Sequence, residues 1–86
     1  MAKDNGTFTV SILSEVGVVY YGDCNVLFVP AAHDTIAVLA HHTPMIAMLS
    51  SGTVSVKTGR DTQTITTVKS GLLCVGDNEA TVLVNL

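Results

Sequence analysis

The feature that most constrains the fold is an alternation of apolar and polar residues with a period of two. Phe8, Val10 and Ile12 alternate with polar neighbours, and residues 62–68 are rich in β-branched side chains that disfavour helices. Because successive side chains of a strand point to opposite faces, each such segment offers one apolar face to a core. The pattern therefore predicts short strands and no long helix.

Turn signals about every 8–12 residues divide the alternating segments. The predicted strands are residues 8–13, 17–21, 25–29, 35–38, 45–49, 53–58, 62–68, 71–75 and 80–84. Residues 59–61 and 76–79 are predicted hairpin turns, because Gly, Asp and Asn tolerate the positive φ of such turns. Strands with one apolar face close a core when two sheets stack, so the sequence predicts an all-β, two-sheet β-sandwich of about 9–10 short strands.

Before the strand at 45–49, Thr43 and Pro44 leave two structures open. Thr43 is a good helix N-cap and Pro44 suits the first helical position, so one helical turn is one option. A kinked approach to the strand is the other.

The length and composition predict one domain with exposed apolar surface. The 86 residues suit a single domain over 1–86, with residues 1–6 as a flexible N-terminal tail. Apolar residues make up 48 % and aromatic residues 5 %, so aliphatic side chains must fill the core. A chain this small buries a limited share of its surface, so we expect leftover apolar surface that a partner covers. An unusually apolar but monomeric core is the alternative.

Charge and targeting signals exclude several classes of protein. The net charge is −3 without a basic stripe, which argues against nucleic-acid binding. No apolar run reaches the roughly 18–20 residues of a membrane span, and the N-terminus lacks a signal core, so a cytoplasmic chain is expected. Cys24 and Cys74 lack a metal-ligand spacing and are expected to be buried free thiols, with a disulfide as the alternative.

Candidate catalytic and metal-binding groups are few. His33, Asp34, His41 and His42 offer imidazole and carboxylate ligands, but their spacing matches no known ligand pattern, and adjacent strand residues point to opposite faces. The alternative is a histidine packed near an interface beside a solvated one. The serines lie at turn signals, the carboxylates are scattered and the glycines are singly spaced, so neither an enzyme nor a cofactor is expected.

The strongest functional signal is the apolar run Met45-Ile46-Ala47-Met48-Leu49, since methionine adapts to irregular partner surfaces; an ordinary core strand is the alternative. The run belongs to the stretch from residue 33 to residue 53, HDTIAVLAHHTPMIAMLSSGT. Its order is an apolar segment, His42-Thr43-Pro44, a second apolar segment, then Gly52 and a strand.

This order resembles the N-terminal domain of the epsilon subunit of F-type ATP synthases, with its His-x-Pro and following glycine. The similarity runs from about residue 8 to residue 84, and SGLLCV from residue 70 is similar to the family's Gly-Gly-(Phe/Ile)-Leu-Glu-Val. Ala37, Ala40, Ser70 and Cys74 stand where the family commonly has Gly, Pro, Gly and Glu.

The resemblance implies a non-catalytic rotor subunit of the central stalk, which joins gamma to the membrane c-ring and couples ion translocation to ATP synthesis. It would lie at the cytoplasmic face of the bacterial inner membrane and contact the membrane only through the complex. By position, the gamma-subunit interface comprises Ser14, His42, Thr43, Pro44 and Met45. The c-ring interface comprises Ala32, His33, Asp34 and Thr35, with Asp34 in the role of the family's acidic residue.

Family members usually continue as a two-helix hairpin where this sequence ends at Leu86, so it is either one domain of a longer protein or a naturally short subunit. In both cases neither inhibition through such helices nor an ATP site is expected. Two other hypotheses remain: a free-standing module that binds a protein or peptide by edge-strand addition, and a small metal-dependent enzyme built on His33, His41 and His42. Spacing that needs few or no gaps favours the rotor subunit. Met45→Glu is expected to weaken gamma binding while sparing the fold, and Gly52→Val to damage folding through a positive φ at Gly52.

Overall fold

The computed structural model describes residues 6–32, 34–41 and 43–85. Within these ranges the chain forms nine strands and no helix, so the predicted all-β fold class is confirmed. The strands are β1 (Phe8–Ser14), β2 (Gly17–Cys24), β3 (Val26–Ala31), β4 (Asp34–Leu39), β5 (Met45–Leu49), β6 (Gly52–Thr58), β7 (Asp61–Val68), β8 (Ser70–Gly76) and β9 (Glu79–Asn85). Each predicted strand is present, and most are one or two residues longer than expected. The predicted tail lies outside the described residues except for Gly6.

Two stacked sheets form the predicted sandwich. One has five strands in the order β2-β1-β9-β8-β5, and the other has four in the order β4-β3-β6-β7. The first strand pairs in parallel with the last, and the other strand pairs of the described chain are antiparallel. This arrangement leaves four edge strands, β2, β5, β4 and β7.

The core between the sheets is almost entirely aliphatic. The alternating residues Val10, Ile12, Val54 and Val56 point inward as predicted and are at most 1 % exposed. None of the polar side chains in the described ranges is buried. Each fully buried Val, Leu or Ile contributes about 1.5–3 kcal/mol to stability, so this core holds the two sheets together without ion pairs.

The turns fall at two ends of the sandwich, named here after a residue at each. Cross-strand pairing puts Ser14, Val84, Gly71 and Leu49 in one row at the Asp34 end. A hydrogen bond from the backbone N–H of Ser50 to the carbonyl of Pro30 (3.0 Å) brings the turn before β4 to this end as well.

The other end is named after Asn78, whose side chain ties three segments together. Its Oδ1 accepts a hydrogen bond from the His41 backbone N–H (3.0 Å), and its Nδ2 donates to the Thr7 carbonyl (3.1 Å). Asn78 itself has a φ of 51° and Gly59 a φ of 64°, so both predicted hairpin turns use positive φ values. Both turns lie at the Asn78 end.

Thr43 and Pro44, directly before β5, do not form the helical turn that was one of the two options. Thr43 and Pro44 are exposed and have neither helical nor strand structure, and β5 begins directly after them. His42 lies outside the described residues. The predicted positive φ at Gly52 is confirmed, with a value of 159°. A second constraint adds to it, because a Cβ there would lie 2.6 Å from the Cβ of Pro30.

Candidate protein interface

A row of apolar side chains crosses the outer face of the five-stranded sheet. The cross-strand pairs Val18–Leu13, Leu13–Leu83, Leu83–Leu72 and Leu72–Met48 join into one continuous line over β2, β1, β9, β8 and β5. We call this line the outer apolar row. Five strands at about 4.8 Å spacing make it about 19 Å long.

The outer apolar row is exposed although its residues are large and apolar. Met48 is 80 % exposed, Val18 67 % and Leu83 44 %, while Leu13 and Leu72 are half-buried. A second row beside it runs Tyr21, Ser11, Thr81, Cys74 and Ile46. At its two ends Tyr21 and Ile46 are more than 70 % exposed. A contiguous apolar patch of this kind is typical of a protein-binding surface, so the expected leftover apolar surface is present.

The predicted gamma-interface residues do not gather at one place. Ser14 ends β1 at the Asp34 end, whereas Met45 begins β5 at the Asn78 end. Strand spacing puts them three strands, about 14 Å, apart across the sheet and about 13 Å apart along it. Thr43 and Pro44 lie beside Met45, and His42 is outside the described residues.

Ser14 and Met45 each have a structural role in this fold. The Ser14 hydroxyl accepts a hydrogen bond from the Val16 backbone N–H (3.2 Å) and lies 3.4 Å from the Gly17 carbonyl, so it closes the turn between β1 and β2. Met45 is half-buried and packs against the core cluster. The freely exposed side chains of β5 are instead Ile46 and Met48.

The residues predicted to face a c-ring lie on a polar depression at the Asp34 end. Its lining consists of Pro30, Ala32, Asp34, Thr35, Ser50, Ser51, Gly52 and Thr53. His33 lies outside the described residues. Ala32 adopts a φ of 53°, and its carbonyl accepts a hydrogen bond from the Ser50 hydroxyl (3.2 Å). This bond joins the turn before β4 to the turn after β5 and fixes the shape of the depression.

One carboxylate stands at the rim of this depression. Asp34 is exposed, and its Oδ1 accepts a hydrogen bond from the backbone N–H of Thr35 (2.9 Å). The bond orients the carboxylate at the first residues of β4. The depression can therefore present one negative charge and several hydroxyl groups to a partner.

The histidine cluster gains no support as a metal centre. His41 is exposed at the Asn78 end, whereas Asp34 lies at the opposite end, and His33 and His42 fall outside the described residues. Across the described ranges, no group of three or more His, Cys, Asp or Glu side chains could hold a metal ion.

Cys24 and Cys74 are free thiols on opposite faces of the five-stranded sheet. Cys24 is fully buried, and burial raises its pKa from 9.0 to about 11; the nearby Asp23 carboxylate adds to the rise, and a hydrogen bond with the Val26 backbone opposes it. Cys74 is half-buried in the second row of the outer face, so the prediction of two buried thiols holds fully for Cys24 alone.

The raised pKa of Cys24 predicts a loss of stability in alkali. The folded state disfavours the thiolate, so the neutral thiol's contribution is fully present below pH 9 and is lost as pH rises toward 11. Burial also raises the pKa of Tyr20, which acts in the same direction. We expect the free energy of unfolding, measured by urea titration, to fall by about 2 kcal/mol between about pH 8.5 and pH 11. Cys24→Ala should have a lower free energy of unfolding at pH 8.5, because the substitution leaves a small cavity. Its free energy of unfolding should then fall much less between pH 8.5 and pH 11. An equally steep decline in the variant would contradict the assignment.

Comparison with known proteins assigns the chain to a known family. The family model described as ATP synthase, Delta/Epsilon chain, beta-sandwich domain matches residues 7–86. The chain belongs to this family. The resemblance to the epsilon-subunit N-terminal domain is thereby confirmed, as is the prediction that the chain is not itself an enzyme.

Curated relatives of the chain are named ATP synthase epsilon chain. The protein from Gloeothece citriformis is 32 % identical over 79 residues, which cover 92 % of this chain and 56 % of that protein. The protein from Synechocystis is 33 % identical over 79 residues, covering 92 % of this chain and 57 % of that protein. The chain thus spans little more than half the length of these relatives.

Solved structures share the fold at low sequence identity. A chain of the Euglena gracilis mitochondrial ATP synthase, in a cryo-EM structure of OSCP, F1 and c-ring, matches with a TM-score of 0.83 and 13 % identity, covering 96 % of this chain and 53 % of that chain. A chain in the central stalk and c-ring structure from Tetrahymena thermophila matches with a TM-score of 0.73 and 10 % identity, covering 91 % and 63 %. No helix in the described ranges is long and apolar enough to cross a bilayer.

Proposed function

We infer that this chain is a non-catalytic subunit of the central stalk of an F-type ATP synthase, which joins the gamma subunit to the c-ring. The observation that carries the inference is the outer apolar row on a domain whose family match spans residues 7–86. The subunit acts by binding: a broad apolar contact makes a stiff joint, and a few charges at its rim set the register. Ion flow through the c-ring would then turn gamma through this joint, at the cytoplasmic face of the membrane.

The outer face of the five-stranded sheet is the surface we assign to gamma. It offers an exposed or half-buried apolar side chain on every strand, and no charged residue lies in its two central rows. Apolar centres with polar rims are typical of stable interfaces. The residues predicted from the sequence lie at the margins of the sheet. Ser14 lies at the Asp34 end of β1, and Thr43, Pro44 and Met45 lie at the Asn78 end of the β5 edge, with His42 next to them in the sequence.

The depression at the Asp34 end is the surface we assign to the c-ring. Ala32, Asp34 and Thr35 line it together with the hydroxyl groups of the turn after β5, and His33 completes the turn in the sequence. A surface with one carboxylate and several hydroxyl groups suits a polar loop that brings a positive charge. The interface would be smaller and more polar than the one assigned to gamma.

Reversing the charge at Asp34 tests the c-ring assignment. We expect Asp34→Lys to weaken association of the chain's complex with gamma to purified c-rings by about fivefold at low salt, because a rim charge mainly changes the association rate. Asp61→Lys is the matched control, since Asp61 is the exposed first residue of β7 at the Asn78 end. Binding of the complex to surface-immobilised c-rings measures its association and dissociation rates. Unchanged rates for Asp34→Lys, or an equal loss in the control, would contradict the assignment.

The alternative hypothesis of a free-standing binding module retains one supporting observation. β5 is an open sheet edge in the described chain, as edge-strand addition of a peptide requires, and its outward side chains are apolar. Isolation of the native protein distinguishes the two: an ATP synthase subunit copurifies with the complex, whereas a free module is recovered without it.

A further inference from the structure

The four edges of the two sheets differ in how they are protected. β2 carries Asp23 on its outer face and has a register irregularity opposite Ile12 and Leu13. β4 begins with Asp34, and β7 begins with Asp61 and has an irregularity opposite Val54 and Ser55. Charges and bulges of this kind keep edge strands from pairing with other chains.

β5 has none of these protections within the described chain. Its five residues, Met45 to Leu49, include no charged side chain and no proline, and its pairing with β8 is regular. Residues 43–53 carry no charge at all. The edge of the five-stranded sheet at β5 is therefore open and neutral, although the chain has a net charge of −3.

The sequence of β5 is complementary to itself in an antiparallel pair. With Ala47 opposite the Ala47 of a second copy, Ile46 lies opposite Met48 on the outer face, and Met45 lies opposite Leu49 on the inner face. Every cross-strand pair is then apolar, and the small central residue permits close approach. Such a contact is isologous and closes about a two-fold axis.

We propose that two copies of this chain pair through their β5 edges, antiparallel and centred on Ala47, to form a continuous ten-stranded sheet. The pairing joins the outer apolar row of each copy, which ends at Met48, to the second row of the other copy, which ends at Ile46. It goes beyond the proposed function and does not depend on it, because it concerns the free chain.

The length of the contact limits its strength. Pro44 has no backbone N–H to donate before β5, and the Ser50 N–H after it is already bonded to Pro30. Pairing is thus restricted to five residues a side. This contact buries far less than the ~1,200 Å² of a standard interface, so we expect a reversible dimer with a Kd on the order of 0.1 mM.

Sedimentation velocity of the purified chain from low micromolar to millimolar concentration measures this equilibrium. The sedimentation coefficient should rise from the monomer to the dimer value across the series. Ile46→Lys should remain monomeric at every concentration, because it places a positive charge of each copy opposite Met48 of the other copy. Ile46 is 73 % exposed, so the fold should survive, which the circular dichroism spectrum checks.

Val18→Lys is the matched control. Val18 lies on the same outer apolar row at the far edge of the sheet and is 67 % exposed. If the edges pair, Val18→Lys dimerises like the unmodified chain; if the apolar faces stack instead, both variants stay monomeric and the proposal is wrong. Amide hydrogen exchange adds a second readout, with increased protection at residues 45–49 expected at high concentration. A monomer at every concentration would also overturn the proposal.

Discussion

Gly52→Val is expected to lower the free energy of unfolding by about 3 kcal/mol, the upper range for overpacking a well-packed site. A Cβ at position 52 would lie 2.6 Å from the Cβ of Pro30 and 3.0 Å from its Cγ. The proline ring is rigid and buried, and its carbonyl is bonded to Ser50, so it cannot move aside without disturbing the Asp34 end. Urea titration at neutral pH measures the effect.

Gly76→Val provides the control for this prediction. Gly76 is also a half-buried strand glycine, but a Cβ there would meet no atom within 4 Å and its φ is not positive. We expect its substitution to change stability by less than about 1 kcal/mol. If Gly52→Val were as stable as Gly76→Val, the close approach of Gly52 to Pro30 would not constrain the fold.

The strands were predictable because their information is local. Alternation in β1 and β6 shows which side chains face inward, and turn residues such as Gly59 and Asn78 mark where strands end. The positive φ of Gly52 was also predicted and is confirmed, but the close approach of Gly52 to Pro30 was not predicted. This contact joins residues 22 positions apart, which no local pattern reveals.

The candidate interface was less predictable because it depends on strand order. In the run from Met45 to Leu49 every residue is apolar, so alternation cannot show which side chains face outward. The pairing of β5 with β8 settles it, since Met45 lies opposite the inward-facing Val75 and Met48 opposite the outward-facing Leu72. The outer apolar row further requires the parallel pair of β1 and β9, which joins the two ends of the chain.

These positions change the substitution that best tests gamma binding. Met45→Glu would place a charge beside the core cluster, so it would damage the fold as well as any interface. Met48→Glu places the same charge on a side chain that is 80 % exposed in the free chain. A desolvated and unpaired charge in an interface costs about 2–4 kcal/mol, so affinity for gamma should fall by about 30-fold to 900-fold while the melting temperature changes little.

Calorimetric titration of this chain with its cognate gamma subunit is the most direct test of the rotor-subunit account. Leu39→Glu is the control, because Leu39 is an exposed apolar residue on the outer face of the other sheet. The account predicts a one-to-one complex of sub-micromolar Kd that Met48→Glu disrupts and Leu39→Glu leaves intact. Absence of a complex with a folded gamma subunit would contradict the account. A complex weakened by Leu39→Glu alone would place gamma on the four-stranded sheet and contradict the assigned surface.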